Sequence, residues 1–133
     1  MTPFMILLDK MENLEKEAVR KVIQQYIDGT YRGDVKALRA CFHPNAVMNG
    51  YLNDQLLLGG PEPFFQDIEK KPSMAEGGAP YEGKVTSIDV VGNIASVTVK
   101  ETGFGGSMKF TDYFHLLKER GQWEIISKTF TTE

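Results

Sequence analysis

Cysteine is nearly absent from this sequence: Cys41 is the only one, so no disulfide can form within the chain. It lies in an apolar helical stretch, which predicts a buried structural thiol rather than a nucleophile. Basic excess is also absent. Fifteen Lys and Arg stand against eighteen Asp and Glu, a formal charge of −3. Without a basic face, neither nucleic acid nor an anionic membrane is an expected partner. Between Met1 and Leu8 the apolar run is only about six residues, with no positive charge before it, too short for a signal-peptide core or a membrane span. A cytoplasmic location is expected. Histidine is scarce as well. His43 and His115 are the only two, on different predicted elements, where a metal site would need further converging ligands. No metal is expected.

What is present suits one domain over residues 1–133, with 1–10 as an N-terminal extension; 133 residues at 41% hydrophobic can bury a sizeable core. A helix is predicted from about Met11 to Tyr31, on the ridges Leu14–Ala18–Val22–Tyr26 and Val19–Ile23–Ile27–Tyr31. Gly33 ends it and Asp34 caps a second helix, Val35 to Phe42, which His43–Pro44 stops. Ala46 to Tyr51 and Gln55 to Leu58 read as short strands about an Asn53–Asp54 turn. Pro61 opens a third helix with Phe64, Phe65 and Ile68 inward, and residues 72–80 read as a flexible connection. Tyr81 to Val91 and Ile94 to Phe104 form a hairpin about Gly92–Asn93. Gly103, Gly105 and Gly106 lack the strand-to-helix context of a phosphate loop, and no cofactor is expected.

The last quarter carries the functional signal. Residues 109–118 and 122–130 are strand-like arms about Gly121, a long antiparallel hairpin. On the first arm, alternation puts Phe110, Asp112, Phe114 and Leu116 on one face, so a carboxylate stands in an apolar row. On the second, unbroken alternation groups Ile126 with Lys128 and Phe130, and sets Trp123 and Ile125 opposite. Lys128 then either enters the same cavity as Asp112 or snorkels past its rim. Tyr113, His115 and Leu117 form an outer face too apolar for water, which predicts a homodimer through that face with Tyr113, His115 and Trp123 in contact.

The order helix–Gly33–Asp34–helix–Phe42–His43–Pro44, then Gly59–Gly60–Pro61 before a helix, then four strands ending Gly121–Gln122–Trp123, resembles the nuclear transport factor 2-like superfamily over about residues 11–132. Ketosteroid isomerase, scytalone dehydratase, polyketide cyclases and plain binding domains share that fold. Lys109–Phe110–Thr111–Asp112–Tyr113 followed by Gly121–Gln122–Trp123 most resembles its putative lumazine-binding branch. The resemblance implies an α+β fold: a cone-shaped, strongly curved mixed or antiparallel sheet with three N-terminal helices packed on its concave face. Against ketosteroid isomerase, Tyr26 stands seven residues before Gly33, as that family's tyrosine does, and Asp112–Tyr113–Phe114 matches its second oxyanion donor. The general base falls at Gly50, beside Asn49, and is missing. Glycine offers no proton acceptor and an asparagine amide is a poor one.

Two readings follow, with a third beside them. One is a small-molecule-binding domain without assured catalysis, taking a small apolar or planar molecule, with Tyr26, Asp112 and Lys128 polar and Met48, Phe114, Ile126 and Phe130 apolar. Another is an isomerase, dehydratase or cyclase using Tyr26 and Asp112, with His43 or Asp54 as replacement base; it wants His43 within about 4–5 Å of Asp112. The third is a dimeric interaction module with a filled cone.

Overall fold

The computed structural model describes residues 1–133. Helix α1 (Pro3–Arg32) starts where Thr2 caps it, the Thr2 hydroxyl accepting from the Met5 amide at 3.2 Å, and proline occupies the first turn. The residues expected as an extension are therefore its first turns. Residues 1–14 are all exposed, including Phe4, Met5, Leu7 and Leu14. Packing begins at Glu15, whose carboxylate accepts from Lys118 Nζ at 2.7 Å and from Trp123 Nε1 at 2.8 Å. These donors hold the Glu15 carboxyl below its ordinary range. Val19, Ile23, Tyr26 and Ile27 are the buried stripe, and Gly33 closes the helix in the left-handed conformation at φ 70°.

Asp34 caps α2 (Val35–Cys41), accepting from the Ala37 amide. Then come β1 (Phe42–Leu52), β2 (Gln55–Leu57), α3 (Glu62–Lys70), α4 (Met74–Gly77), β3 (Glu82–Val91), β4 (Ile94–Phe104), β5 (Met108–Glu119) and β6 (Gln122–Thr132). The connection at 72–80 is thus not all irregular: Ser73 caps the single turn of α4. The six strands form one mixed sheet in the order β2-β1-β6-β5-β4-β3. Only β1 and β6 run parallel. Helices α1 to α3 lie on one face, giving the expected α+β cone.

The core joins Val19, Ile23 and Tyr26 of α1, Leu38 and Cys41 of α2, Phe65 of α3 and the inward sheet row Val97, Val99, Phe114, Leu116 and Ile125. Cys41 is buried, its thiol 3.3 Å from the Ala37 carbonyl, and burial pushes its pKa up to about 12. It is structural, as expected. No helix is long and apolar enough to cross a membrane.

Alternation fails at one place in β6. His115 pairs with Ser127 while Leu116 pairs with Ile125, so Ile126 is an extra residue, a β-bulge. Downstream of the bulge Lys128 and Phe130 keep the inward face, and upstream Trp123 and Ile125 take it too. Trp123 is buried beneath α1 and is not on the outer face where alternation alone put it. Tyr113 does stand outward at 59% exposure, with His115 exposed beside it.

Candidate functional site

A cavity of about 270 Å³ opens between the far ends of the strands and α3. Met48, Leu57, Pro63, Phe64, Phe104, Phe110 and Phe130 give it apolar walls, and Lys128, Glu101 and Asp67 are its charged groups. Asp67 sits exposed at the rim, whereas Glu101 and Lys128 are buried. A wider depression of about 330 Å³ between α1 and α2 is lined almost wholly by polar side chains such as Lys21, Gln24, Asp28 and Arg32. It is a solvated surface hollow without a buried functional group.

Lys128 is the centre of the enclosed site, only 7% exposed. Its Nζ donates to Tyr26 Oη at 2.6 Å. It lies 5.0 Å from the ring centres of Tyr26 and Phe64 and 5.2 Å from that of Phe130. Asp112 Oδ2 is 3.9 Å away, too far for a hydrogen bond. Asp112 is fully buried, and neither of its carboxylate oxygens has a hydrogen-bond partner. Burial holds the Lys128 ammonium below its ordinary range, and the Glu101 charge pulls the other way. Glu101 accepts from Tyr81 Oη at 2.5 Å, and burial with that neighbouring carboxylate pushes the Tyr81 phenol up. Burial likewise raises the Tyr26 phenol well above its ordinary value.

Among the residues singled out from the sequence, Met48, Lys128 and Phe130 line the cavity. Tyr26 and Asp112 share the inner side of the sheet as expected, but the Lys128 amine fills the space between them, and neither borders the cavity. Phe114 lies behind them, edge-on to Tyr26 at 5.0 Å. Ile126 is carried out of the inward row by its own bulge. Glu101, the second buried charge, was not singled out, although inward alternation along Ala95, Val97, Val99 and residue 101 marks it.

The replacement bases are elsewhere. His43 opens β1, where its Nδ1 accepts from the Asn45 amide and its Nε2 is 3.7 Å from Glu119. Its neighbour Phe42 pairs with Ile125, whereas Asp112 pairs with Phe130, five residues further along β6. That offset is roughly 15 Å of strand. His43, Glu119 and Glu124 form a cluster whose ligand atoms lie within 4.8 Å of one another, and none of the three lines the cavity. Asp54 is exposed in the β1–β2 turn. Gly50 is glycine for a packing reason. A Cβ there would fall on the Phe130 carbonyl oxygen and within 2.7 Å of the Phe130 ring. Asn49 spends its carboxamide oxygen on the Gly59 amide at 2.9 Å.

Residues 14–131 match the model of the family described as "Putative lumazine-binding". The chain belongs to that family. It is also similar to "Aldolase FrzH" from Cladobotryum sp, 23% identical over 87% of this chain and 90% of that protein. Among solved structures it resembles an NTF2-like protein of unknown function from Shewanella baltica OS155, with a TM-score of 0.79, 27% identity and coverage of 90% of this chain and 94% of that one. Another, from Silicibacter pomeroyi DSS-3, has a TM-score of 0.79 at 25% identity, covering 93% and 98%. Members of the lumazine-binding family thus share the nuclear transport factor 2-like fold found here, and this chain's cavity lies within the matched residues.

Proposed function

We propose that this protein is a small-molecule-binding domain whose cavity takes a compact apolar or planar ligand with an electron-rich group directed at Lys128. The observation that carries this reading is the amine at the cavity floor, buried and surrounded by three aromatic rings. A mostly apolar hollow with one or two polar anchors suits a small planar molecule. The family description supports ligand binding, and the size of the hollow favours single-ring or two-ring compounds over anything larger.

A thermal-shift series with lumazine and small aromatic carboxylates tests the reading. A ligand at about 100 times its Kd stabilises the fold by about 2.7 kcal/mol, several degrees in a domain of this size. Leu57→Trp, which fills the cavity from its half-exposed rim, should abolish the shift. Equal shifts in both proteins, or none across the series, would refute the pocket as the binding site.

An enzyme is the second reading, favoured by the aldolase relative and by the Lys128 amine, bonded to Tyr26 and 3.9 Å from Asp112. His43 is displaced along the sheet from Asp112 and Asp54 is exposed in the β1–β2 turn, so neither of the two expected bases stands among the residues that line the cavity. The outer sheet face, where Val47, Tyr51 and Tyr113 stand exposed among Ser and Thr side chains, supports a homodimer in which Trp123 has no part. Light scattering of Tyr113→Lys against the parent chain reads that association directly.

A further inference from the structure

We propose that Lys128 is an imine-forming amine, condensing with an aldehyde or ketone that enters the cavity; the proposal rests on the cavity being the ligand site. Lysine is almost never fully buried without an ionic partner. Here the partner is poor. The only hydrogen bond from Nζ goes to a neutral phenol, and the nearest carboxylate, Asp112, stands 3.9 Å off with both oxygens unpartnered. An ion pair built for the fold needs excellent geometry and hydrogen bonds on its remaining valences to offset desolvation. This pair has neither. What it has is an amine bordering a hollow, with a proton acceptor behind it.

The groups facing Lys128 can be named from every wall. Tyr26 comes from α1, Phe64 from α3, Asp112 from β5, Phe130 from β6 itself and Glu101 from β4. Glu101 is held by Tyr81 and Asp67 stands at the rim. The carboxylates and the ring faces favour the ammonium, and burial favours the free amine; burial is the larger influence. A desolvated lysine among apolar walls is the usual source of a nucleophilic amine near neutral pH.

The chemistry balances with these groups alone. Once the two side chains close their 3.9 Å gap to hydrogen-bond distance, Asp112 accepts one proton from the Lys128 ammonium, leaving a neutral amine beside a neutral acid. The nitrogen lone pair attacks the carbonyl carbon, the C=O pair moves to oxygen, and a proton passes from nitrogen to that oxygen to give a carbinolamine. Asp112 returns its proton to the Lys128 nitrogen, from which it passes to the hydroxyl; the hydroxyl leaves as water while nitrogen forms C=N. The products are a protonated imine, a carboxylate and water, with no oxidant or reductant consumed. Asp112 acts through Lys128 and is a positioning residue, as is Tyr26, whose hydroxyl fixes the amine. The phenyl-rich walls select an aromatic or aliphatic carbonyl compound over a sugar.

Trapping tests this. The full chain is incubated at pH 7 with benzaldehyde and sodium cyanoborohydride, and labelled peptides are mapped by mass spectrometry. The expected result is a single benzyl adduct at Lys128, formed at least about tenfold faster than at any other of the eleven lysines, since each unit of lowered pKa leaves about tenfold more free amine. Lys128→Met should lose the fast adduct. Asp112→Asn should move the midpoint of the labelling rate to lower pH, because the anion that favours the ammonium is gone; a purely structural Asp112 would leave it unmoved. Benzyl alcohol, with the same ring but no carbonyl, is followed in parallel by ligand-observed NMR against Leu57→Trp. If the alcohol binds in the cavity while label spreads slowly over surface lysines, the imine proposal fails and the pocket stands. If the alcohol does not bind and Lys128 is unlabelled, both fail.

Discussion

Removing the two buried charges singly and together measures what holds Lys128 in place. In Lys128→Met the carboxyl of Asp112 is left fully buried with no hydrogen bond and no cation, a situation that costs about 3–5 kcal/mol. Asp112→Leu leaves the amine with only the Tyr26 hydroxyl, and it can shed its proton, so a smaller loss of about 1–3 kcal/mol is expected. The attraction between charges 3.9 Å apart is about 4 kcal/mol at an effective dielectric of about 20. The double variant abolishes both desolvation penalties. Apolar replacement of a buried pair is often neutral or stabilising by about 1–4 kcal/mol. The double variant should therefore be at least about 2 kcal/mol more stable than the sum of the single losses predicts. Trp123, the only tryptophan and buried under α1, reports unfolding in urea by its fluorescence. Additivity within about 0.5 kcal/mol would show that the two groups do not interact, and the proton relay between them would fall with it.

Two further expectations follow from the same geometry. Gly50→Ala should cost at least about 3 kcal/mol in urea melts, the upper end of overpacking, because its Cβ meets backbone as well as ring at Phe130; Gly50→Asp should fare no better, and a loss under 1 kcal/mol would overturn the packing account. The second concerns alkaline pH. Lys128 has a folded pKa below its unfolded value, so between those two the unfolded chain binds the extra proton and stability rises with pH, by at most about 1.4 kcal/mol per unit. Tyr26 and Tyr81, raised in the fold, work in the opposite direction above about pH 10. Subtracting the profile of Lys128→Met, which keeps both phenols, should leave a positive slope below pH 10; a flat difference would refute a lowered Lys128.

Much of this was legible in the residues. The order of helices and strands, the Asp34 cap and the last hairpin follow from spacing, and Asp112 does face inward opposite Tyr26. The site was half legible. Alternation is a reliable guide only while each residue has a cross-strand partner, and the bulge at Ile126 has no glycine to announce it. It moved Trp123 and Ile125 inward and Ile126 out. The early start of α1 had a visible signal, Thr2 before Pro3, outweighed by the shortness of the apolar run after it. Whether Lys128 entered the cavity could not be read from β6 alone, because the walls that enclose it come from α1, α3 and β4 as well.

The unpaired Ile126 lets a single strand serve two unrelated surroundings. Its first residues lie under α1 and its last ones furnish the chamber, and the slack between them means that neither half dictates the alignment of the other. Point substitutions on either side can therefore accumulate separately, whereas loss of that one residue would turn Lys128 out toward water or Trp123 away from its helix. The chamber's chemistry is thus guarded less by which residues stand in the strand than by how many.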